Sequence, residues 1–521
     1  MSRPRWAALV VLGLLVAAIA ARWVRAPGYM DADYYDVTAR ELAGGHGFSE
    51  TFLWNYLDDP QGVPHPSHLY WMPLASVLAA AGMALFGSTF RAAQLPFVLL
   101  AASLPPLTAL ISLRITSDPQ RAWFAGWLAA LPGFFLPYWV TTDTFAVYAV
   151  AGSVALWALA KASSHPSSWR WVLAGGLIGL CHLARADGAL LLVPGLVAVW
   201  WSGRGRLSSA AWLVAGYAAI MSPWWARNLA VAGGLFPGGA GRTLWLLSYD
   251  ELFSYPASLL TPGRWWAAGL GTILGARAGA LWSNLKSLIA VNGLIFLGPL
   301  MAVGAWRLRK QRLVQLAVVY LASLIFVMSF VFPFAGTHGG FFHSSAALMP
   351  ILWPLAAVGM QAAVAWGALR RRWNAAQALQ VFGLGALILA GALTAGLTWR
   401  RVAGSFGGPL QWEAGDRAYV QVGERLRALD SAPGLVAVNN PPGFTLASDL
   451  PSVVIPNGPP ETLRQVVERY GVAWVVLDQN RPAGLSGLYD DPASQAWLRL
   501  AETLGMPDGS RVLLFEVGEA P

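Results

Sequence analysis

Cysteine is nearly absent: Cys181 is the only one in 521 residues. That excludes an intrachain disulfide and a cysteine-built zinc cage. Charge is scarce too, at 12% of residues, about half the roughly 25% of a soluble globular domain. A disordered chain, a coiled coil and an ordinary cytosolic enzyme are all excluded by that shortage. The chain also lacks a repeat of about 20–50 residues and any low-complexity tract, so it is no solenoid.

What is present is apolar. Hydrophobic residues make up 56% of the chain, with 27 Trp. The formal charge is +9. A basic chain suits nucleic acid only when its charge gathers on one soluble face. Here the basic residues stand in small clusters between apolar runs, as membrane topology requires, so nucleic acid is excluded as a partner and membrane lipids are expected.

Trp6 to Val24 is the first apolar run, and Arg3 and Arg5 precede it. This is a signal-anchor pattern with a cytoplasmic amino terminus. Ala18-Ile19-Ala20 also resembles a cleavage site, so a removed signal peptide is the competing reading. Further runs of spanning length lie near 93–113, 121–138, 144–160, 170–184, 187–202, 209–223, 284–306, 313–333, 345–367 and 376–399. Together they predict a polytopic α-helical membrane protein of about eleven spans. The count puts five basic connections in the cytoplasm: Arg114 with Arg121, Lys161 with Arg170, Arg204 with Arg206, the group Arg307–Arg312, and Arg370–Arg372. Tyr70–Phe86 and Trp265–Trp282 are left out of the count and read as interfacial or re-entrant, because a span at Tyr70–Phe86 would invert every later loop.

Segments 25–92, 224–283 and 400–521 are then extracytoplasmic. Residues 1–400 form the transmembrane domain with its two outer loops. Residues 401–521 read as a small extracytoplasmic α/β domain. Amphipathic helices are predicted at Tyr419–Leu429 and Glu461–Tyr470, and β-rich runs at Gly434–Val438, Val472–Leu477 and Arg511–Val517.

Asp31 and Asp33 follow the first span directly. Carboxylates at a bilayer boundary are costly unless they face water, a cation or a partner. Two close together suit acid–base work, because one pKa rises while the other stays low. Asp31 as a plain helix cap is the alternative.

The stretch Asp31-x-Asp33-Tyr34-Tyr35…Gly45-x-Gly47-Phe48 resembles the first outer loop of GT-C membrane glycosyltransferases. The likeness is to the branch of protein O-mannosyltransferases and the lipid A aminoarabinose transferase. His65-Pro66-Ser67-His68-Leu69-Tyr70 takes the place of that branch's Lys-Pro-Pro-Leu-Tyr motif. Phe86-Gly87…Arg91, Thr142-Asp143, Arg185-Ala186-Asp187-Gly188 and Pro223-Trp224…Arg227-Asn228 are similar to its later motifs, in the same order. Two departures stand out: His65 and His68 near the turn, and Phe342-His343 where the family has Arg-Tyr.

The resemblance implies transfer of a sugar from a polyprenyl-phosphate donor to a hydroxyl of a lipid, glycan or protein acceptor, normally with inversion. A base must take the acceptor proton, and donors or cations must hold the departing phosphate. Asp33 is the first candidate base and Asp31 the second. Asp143 is a candidate for orienting the acceptor or a metal, or else caps the helix that follows. Arg227, Arg242 and His343 are candidate phosphate contacts. Arg227 is equally a headgroup anchor beside its Trp pair, and His343 equally an exposed turn residue. Tyr70 is a candidate for stacking on the sugar. Asp31, His65 and His68 could hold a divalent metal cation, against plain interfacial histidines. Arg185 and Asp187 read best as a mutual ion pair. The expected place is the plasma membrane, as a multi-pass protein. A transporter or flippase of lipid-linked substrates and a non-catalytic envelope-assembly protein are the rival classes; transporters more often carry midplane charges and internal repeats.

Overall fold

Apolar runs with capping residues at their ends become helices. Thr89 caps Phe90–Thr116 by accepting from the Ala92 amide, and Asn374 caps Ala375–Val402. Asp118 and Pro119 open the Pro119–Ala130 helix. The computed structural model describes residues 1–203, 205–237, 239–404, 410–506 and 509–518. Arg204, read as a cytoplasmic basic residue, lies outside the described residues.

Every predicted apolar run is helical, but not every run is one continuous helix. Among the described residues six helices are long and apolar enough to cross a membrane, seven if one bent pair is a single span. The expected eleven is larger because several runs are short or broken, and because the continuous 27-residue helix Arg206–Ala232 is not apolar enough to count. Run 121–138 divides into Pro119–Ala130 and Phe135–Trp139, interrupted at Pro132-Gly133. Run 284–306 bends by 93° between Gly269–Asn292 and Leu297–Arg307. Leu294 and Ile295 take positive φ at that corner. Leu74–Phe86 has 13 residues, short of the about 17 a span needs.

Small residues let the helices close on one another. A Cβ at Gly304 would strike the Leu355 carbonyl, and one at Gly359 would strike the Leu300 carbonyl. Leu297–Arg307 and Met349–Arg371 thus meet through a reciprocal glycine pair. Gly175 and Gly216 form a second such pair between Ser168–Ala184 and Arg206–Ala232.

One break matters for the site. Helical geometry fails at His338 and Gly339, and Gly339 has φ +108°, a conformation glycine adopts without steric cost. The chain turns there before entering Phe341–Ser345.

The last part of the chain builds a six-stranded sheet in the order Phe52–Leu53, Ser452–Val454, Leu435–Val438, Val472–Leu477, Arg511–Val517, Leu498–Gly505. The first four strands are parallel and the last two antiparallel to their neighbours. Side chains alternate across it. Val475, Leu477 and Phe515 pack on one face with Leu463 and Val466. Val436, Val476 and Leu514 pack on the other with Leu426 and Phe444. Each such buried side chain contributes about 1.5–3 kcal/mol. The edge strand Phe52–Leu53 comes from the loop 25–92. Further ties join that loop to the helical segments around the sheet: Trp412 Nε1 donates to Ala26 O at 2.9 Å, and Tyr470 to Pro60 O at 2.9 Å.

Candidate functional site

The helix Met30–Ala43 begins after Pro27-Gly28, with Tyr29 extended at its amino end. Asp31 and Asp33 sit in its first turn, where negative charge favours the helix dipole. They stand two positions apart, so about 200° of rotation separates them and they leave the helix on different faces. Asp31 lines a cavity of about 350 Å³. Asp33 is not among the residues lining it. Its Oδ2 accepts from Asn440 Nδ2 at 2.9 Å, beside the Pro441–Ser448 helix. The two carboxylates expected to work as a pair are thereby divided between a cavity and an internal joint.

Asp31 has other partners. Asp143 caps the Thr144–Ser164 helix through the Thr144 amide, as the capping reading requires, and it does more. Its Oδ2 lies 2.9 Å from His343 Nε2 and accepts from the Tyr29 hydroxyl. His343 Nε2 is also 3.8 Å from Asp31 Oδ2. The imidazole is held on its far side, with Nδ1 2.8 Å from Gly339 O, and it stacks on Phe145 at 3.8 Å. His343 is buried, so the exposed-turn reading does not hold.

The electrostatics separate the two acids. Burial pushes the Asp31 carboxyl up to about 6; His343 opposes the rise and Asp143 adds to it. Burial also acts to raise Asp143, but His343, Tyr29 and the Thr144 amide outweigh it and hold Asp143 below its usual value. Asp33 is pushed up to about 8 by burial, against the Asn440 hydrogen bond.

The wall continues with Arg185, Asp187, Tyr70, Trp71, Tyr249 and His338. Arg185 Nε is 3.0 Å from Asp187 Oδ1, the expected ion pair, and 3.2 Å from Ser344 Oγ. Ser344 in turn donates to Asp187. Trp54 and Trp71 stack at 4.0 Å, and Tyr249 and His338 at 3.8 Å. Aromatic planes of this kind suit sugar faces. Arg185, Asp187, Ser344 and Tyr249 were not among the expected site residues. For the first two the signal was visible in Arg185-Ala186-Asp187-Gly188.

Other candidates lie elsewhere. His65 sits between Glu50 (3.3 Å) and Asp58 (3.0 Å). His68 is buried among Tyr34, Tyr35, Phe48 and Trp224, and burial pushes it down to about 3. Neither joins Asp31. Among the described residues the group able to hold a metal is Asp31, Asp143 and His343, whose ligand atoms all lie within 4.8 Å of one another. Arg227 donates to Ser67 O at 2.6 Å and lies over Trp224, and Arg242 donates to Leu57 O at 2.7 Å. Both guanidiniums brace loop backbone, and neither lines the Asp31 cavity.

No curated protein matches the chain by sequence. The profile of the family described as "Dolichyl-phosphate-mannose-protein mannosyltransferase" matches residues 64–226. Among solved structures, ArnT from Cupriavidus metallidurans bound to undecaprenyl phosphate is similar with a TM-score of 0.56 and 15% identity, covering 100% of both chains. The apo oligosaccharyltransferase of Archaeoglobus fulgidus is similar with a TM-score of 0.51 and 13% identity, covering 91% of this chain and 69% of that one. The chain is therefore a multi-pass membrane protein with the GT-C glycosyltransferase fold, resembling the branch of protein mannosyltransferases and aminoarabinose transferases.

Proposed function

We propose that this chain moves a sugar from a polyprenyl-phosphate donor to an acceptor hydroxyl, and that Asp31 is the base. One observation carries the reading: Asp31, Arg185 and His343, from three distant parts of the chain, line one cavity with aromatic walls. Asp31 takes the acceptor's proton as its oxygen bonds to the anomeric carbon. The bond from that carbon to the phosphate oxygen breaks, and polyprenyl phosphate leaves with the electron pair, which inverts the anomeric centre. A carboxyl near 6 is ionised at neutral pH yet basic enough to accept the proton. Arg185 is suited to the departing phosphate, since a guanidinium binds two oxygens. Asp143 keeps His343 in place.

Two carboxylates and an imidazole also fit a divalent cation such as zinc or manganese at Asp31, Asp143 and His343. Bound there, such an ion supplies positive charge for the leaving phosphate.

The carboxylates gather at the loop-bearing end of the bundle, near helix starts, which favours transfer over transport. The basic clusters at the opposite connections favour a cavity outside the cytoplasm, with the sheet beside it. The test is to incubate purified protein with a panel of polyprenyl-phosphate sugars. Donor hydrolysis or transfer, lost in Asp31→Asn, is the expected result. Movement of the intact donor across vesicles without any glycosidic product would overturn the reading.

A further inference from the structure

A second cavity lies at the sheet, apart from the one lined by Asp31. Strands Leu435–Val438 and Val472–Leu477 are parallel neighbours. From the first strand the chain passes through Pro441–Ser448 to Ser452–Val454 on one flank. It then crosses back through Pro460–Tyr470 to Val472–Leu477 on the other flank. The loops leaving the two carboxyl ends therefore diverge, and in open parallel sheets that divergence is where ligands settle. Here it opens into a cavity of about 910 Å³.

The lining has a definite chemistry. Asn440 follows one strand, and Asp478 and Gln479 follow the other. Asp478 is fixed in place: its Oδ1 accepts from Asn439 Nδ2 at 2.6 Å and from the Asn480 amide at 2.8 Å, and its Oδ2 accepts from Tyr419 at 2.9 Å. Facing this floor are Arg400, Arg401 and Arg417. Arg401 stacks on Trp412 at 5.4 Å, and Arg417 pairs with Glu413 at 3.1 Å. Arg400 is exposed and has no ion-pair or hydrogen-bond partner among the described residues. Arg417 is balanced by Glu413, and among the described lining residues Arg400 and Arg401 still outnumber the one carboxylate, Asp478, which calls for an anion. The amides, phenol and carboxylate beside them are donors and acceptors for hydroxyl groups.

We infer that this crevice binds a phosphorylated saccharide, with its phosphate on the arginines and its hydroxyls on the floor of Asn440, Asp478 and Gln479. The inference does not depend on transfer at Asp31. Arg400 and Arg401 end the Ala375–Val402 helix, one of the apolar helices of spanning length. The phosphate can therefore belong to a free sugar phosphate or to a lipid headgroup. Asn440 also holds Asp33, so an occupant touches the helix that carries Asp31 through one side chain.

The test uses the full chain in phosphatidylcholine nanodiscs. One arm measures binding of radiolabelled glucose 1-phosphate by equilibrium dialysis. The other counts phosphatidylinositol retained in mixed discs by native mass spectrometry. Binding in at least one arm is expected, weakened about tenfold or more by Arg400→Glu and to a smaller degree by Gln479→Ala, and unchanged in Asp31→Asn. Arg400 and Gln479 are exposed, so the variants should melt with the parent. Binding in the first arm alone identifies a free ligand, and in the second alone a lipid. Binding in neither arm, binding indifferent to Arg400→Glu, or binding lost in Asp31→Asn overturns the inference.

Discussion

His343 and Asp143 are 200 residues apart in the chain and 2.9 Å apart in space. The break at Gly336–Gly340 delivers the imidazole, and the start of the Thr144–Ser164 helix delivers the carboxylate. Asp143 accepts from Tyr29, from the Thr144 amide and from the ring of His343. A carboxylate so fully engaged positions its neighbours and is a poor base. Asp31, 3.8 Å from the same ring nitrogen, is the one that faces the cavity. The two acids thus divide the work.

That division makes the two aspartates of the first turn separable. Asp31→Asn should lower turnover on a polyprenyl-phosphate sugar by about 10²–10⁴. Asp33→Asn should stay within about tenfold of wild type, because an amide oxygen still accepts from Asn440 and a neutral group replaces a carboxyl that burial already disfavours in its charged form. Single-turnover rates of both variants decide it. The opposite ranking would return the base to Asp33.

His343 stands where the resembled branch carries arginine, and its two ring nitrogens both face oxygen atoms. Were a divalent cation bound, His343 and Asp143 would be its main holders, with Asp31 near enough to join them while its other oxygen serves as base. Chelation should therefore silence the wild-type protein, and zinc or manganese should restore it. His343→Ala should cost about 10²-fold and abolish the restoration. If chelation changes nothing while His343→Arg stays active, the ring serves as a hydrogen-bond donor and the metal reading fails.

Much of this fold was legible in the sequence because membrane runs and amphipathic periods are local signals. Tyr419–Leu429 and Glu461–Tyr470 lie inside the helices Ala414–Leu429 and Pro460–Tyr470, and three strands stand where β-rich runs were read. Phe52–Leu53 escaped notice because two residues carry no periodicity, and its place at the sheet edge is set by Ser452 and Val453 400 residues away. The site was legible in its residue types but not its pairings. Asp31 and Asp33 look like a pair on paper, and helical rotation parts them. His343 looks like a turn residue until the backbone at Gly339 turns it toward Asp143.

Close helix packing gives a stability test away from the chemistry. Gly304 and Gly359 each face a carbonyl of the opposing helix with no room for a methyl group. Gly304→Ala and Gly359→Ala should each destabilise the protein by about 1–3 kcal/mol, read as a lower melting temperature in detergent. Gly275→Ala is the control, since a Cβ there meets open space. Equal melting of all three would mean that the two helices do not approach as described.

The clasp around His65 predicts a pH dependence in the loop 25–92. Burial alone would lower this imidazole, but hydrogen bonds to Asp58 and Glu50 outweigh it and hold His65 up at about 9. Unfolded, the same ring titrates near 6.5. The folded loop binds the proton more tightly, so the clasp contributes its full stability below about 6.5 and loses it as pH rises through about 9. The contribution is on the order of 1–3 kcal/mol, since the ring is mostly buried. The strand pair Ser49–Glu50 with His65–Pro66 should report the loss directly. Amide exchange across 49–66 should accelerate between pH 6.5 and 9 beyond the intrinsic chemical trend, and His65→Gln should follow that trend alone. A wild-type profile no steeper than the variant's would mean that the ring is neutral in the folded loop and that the two carboxylates do not clasp it.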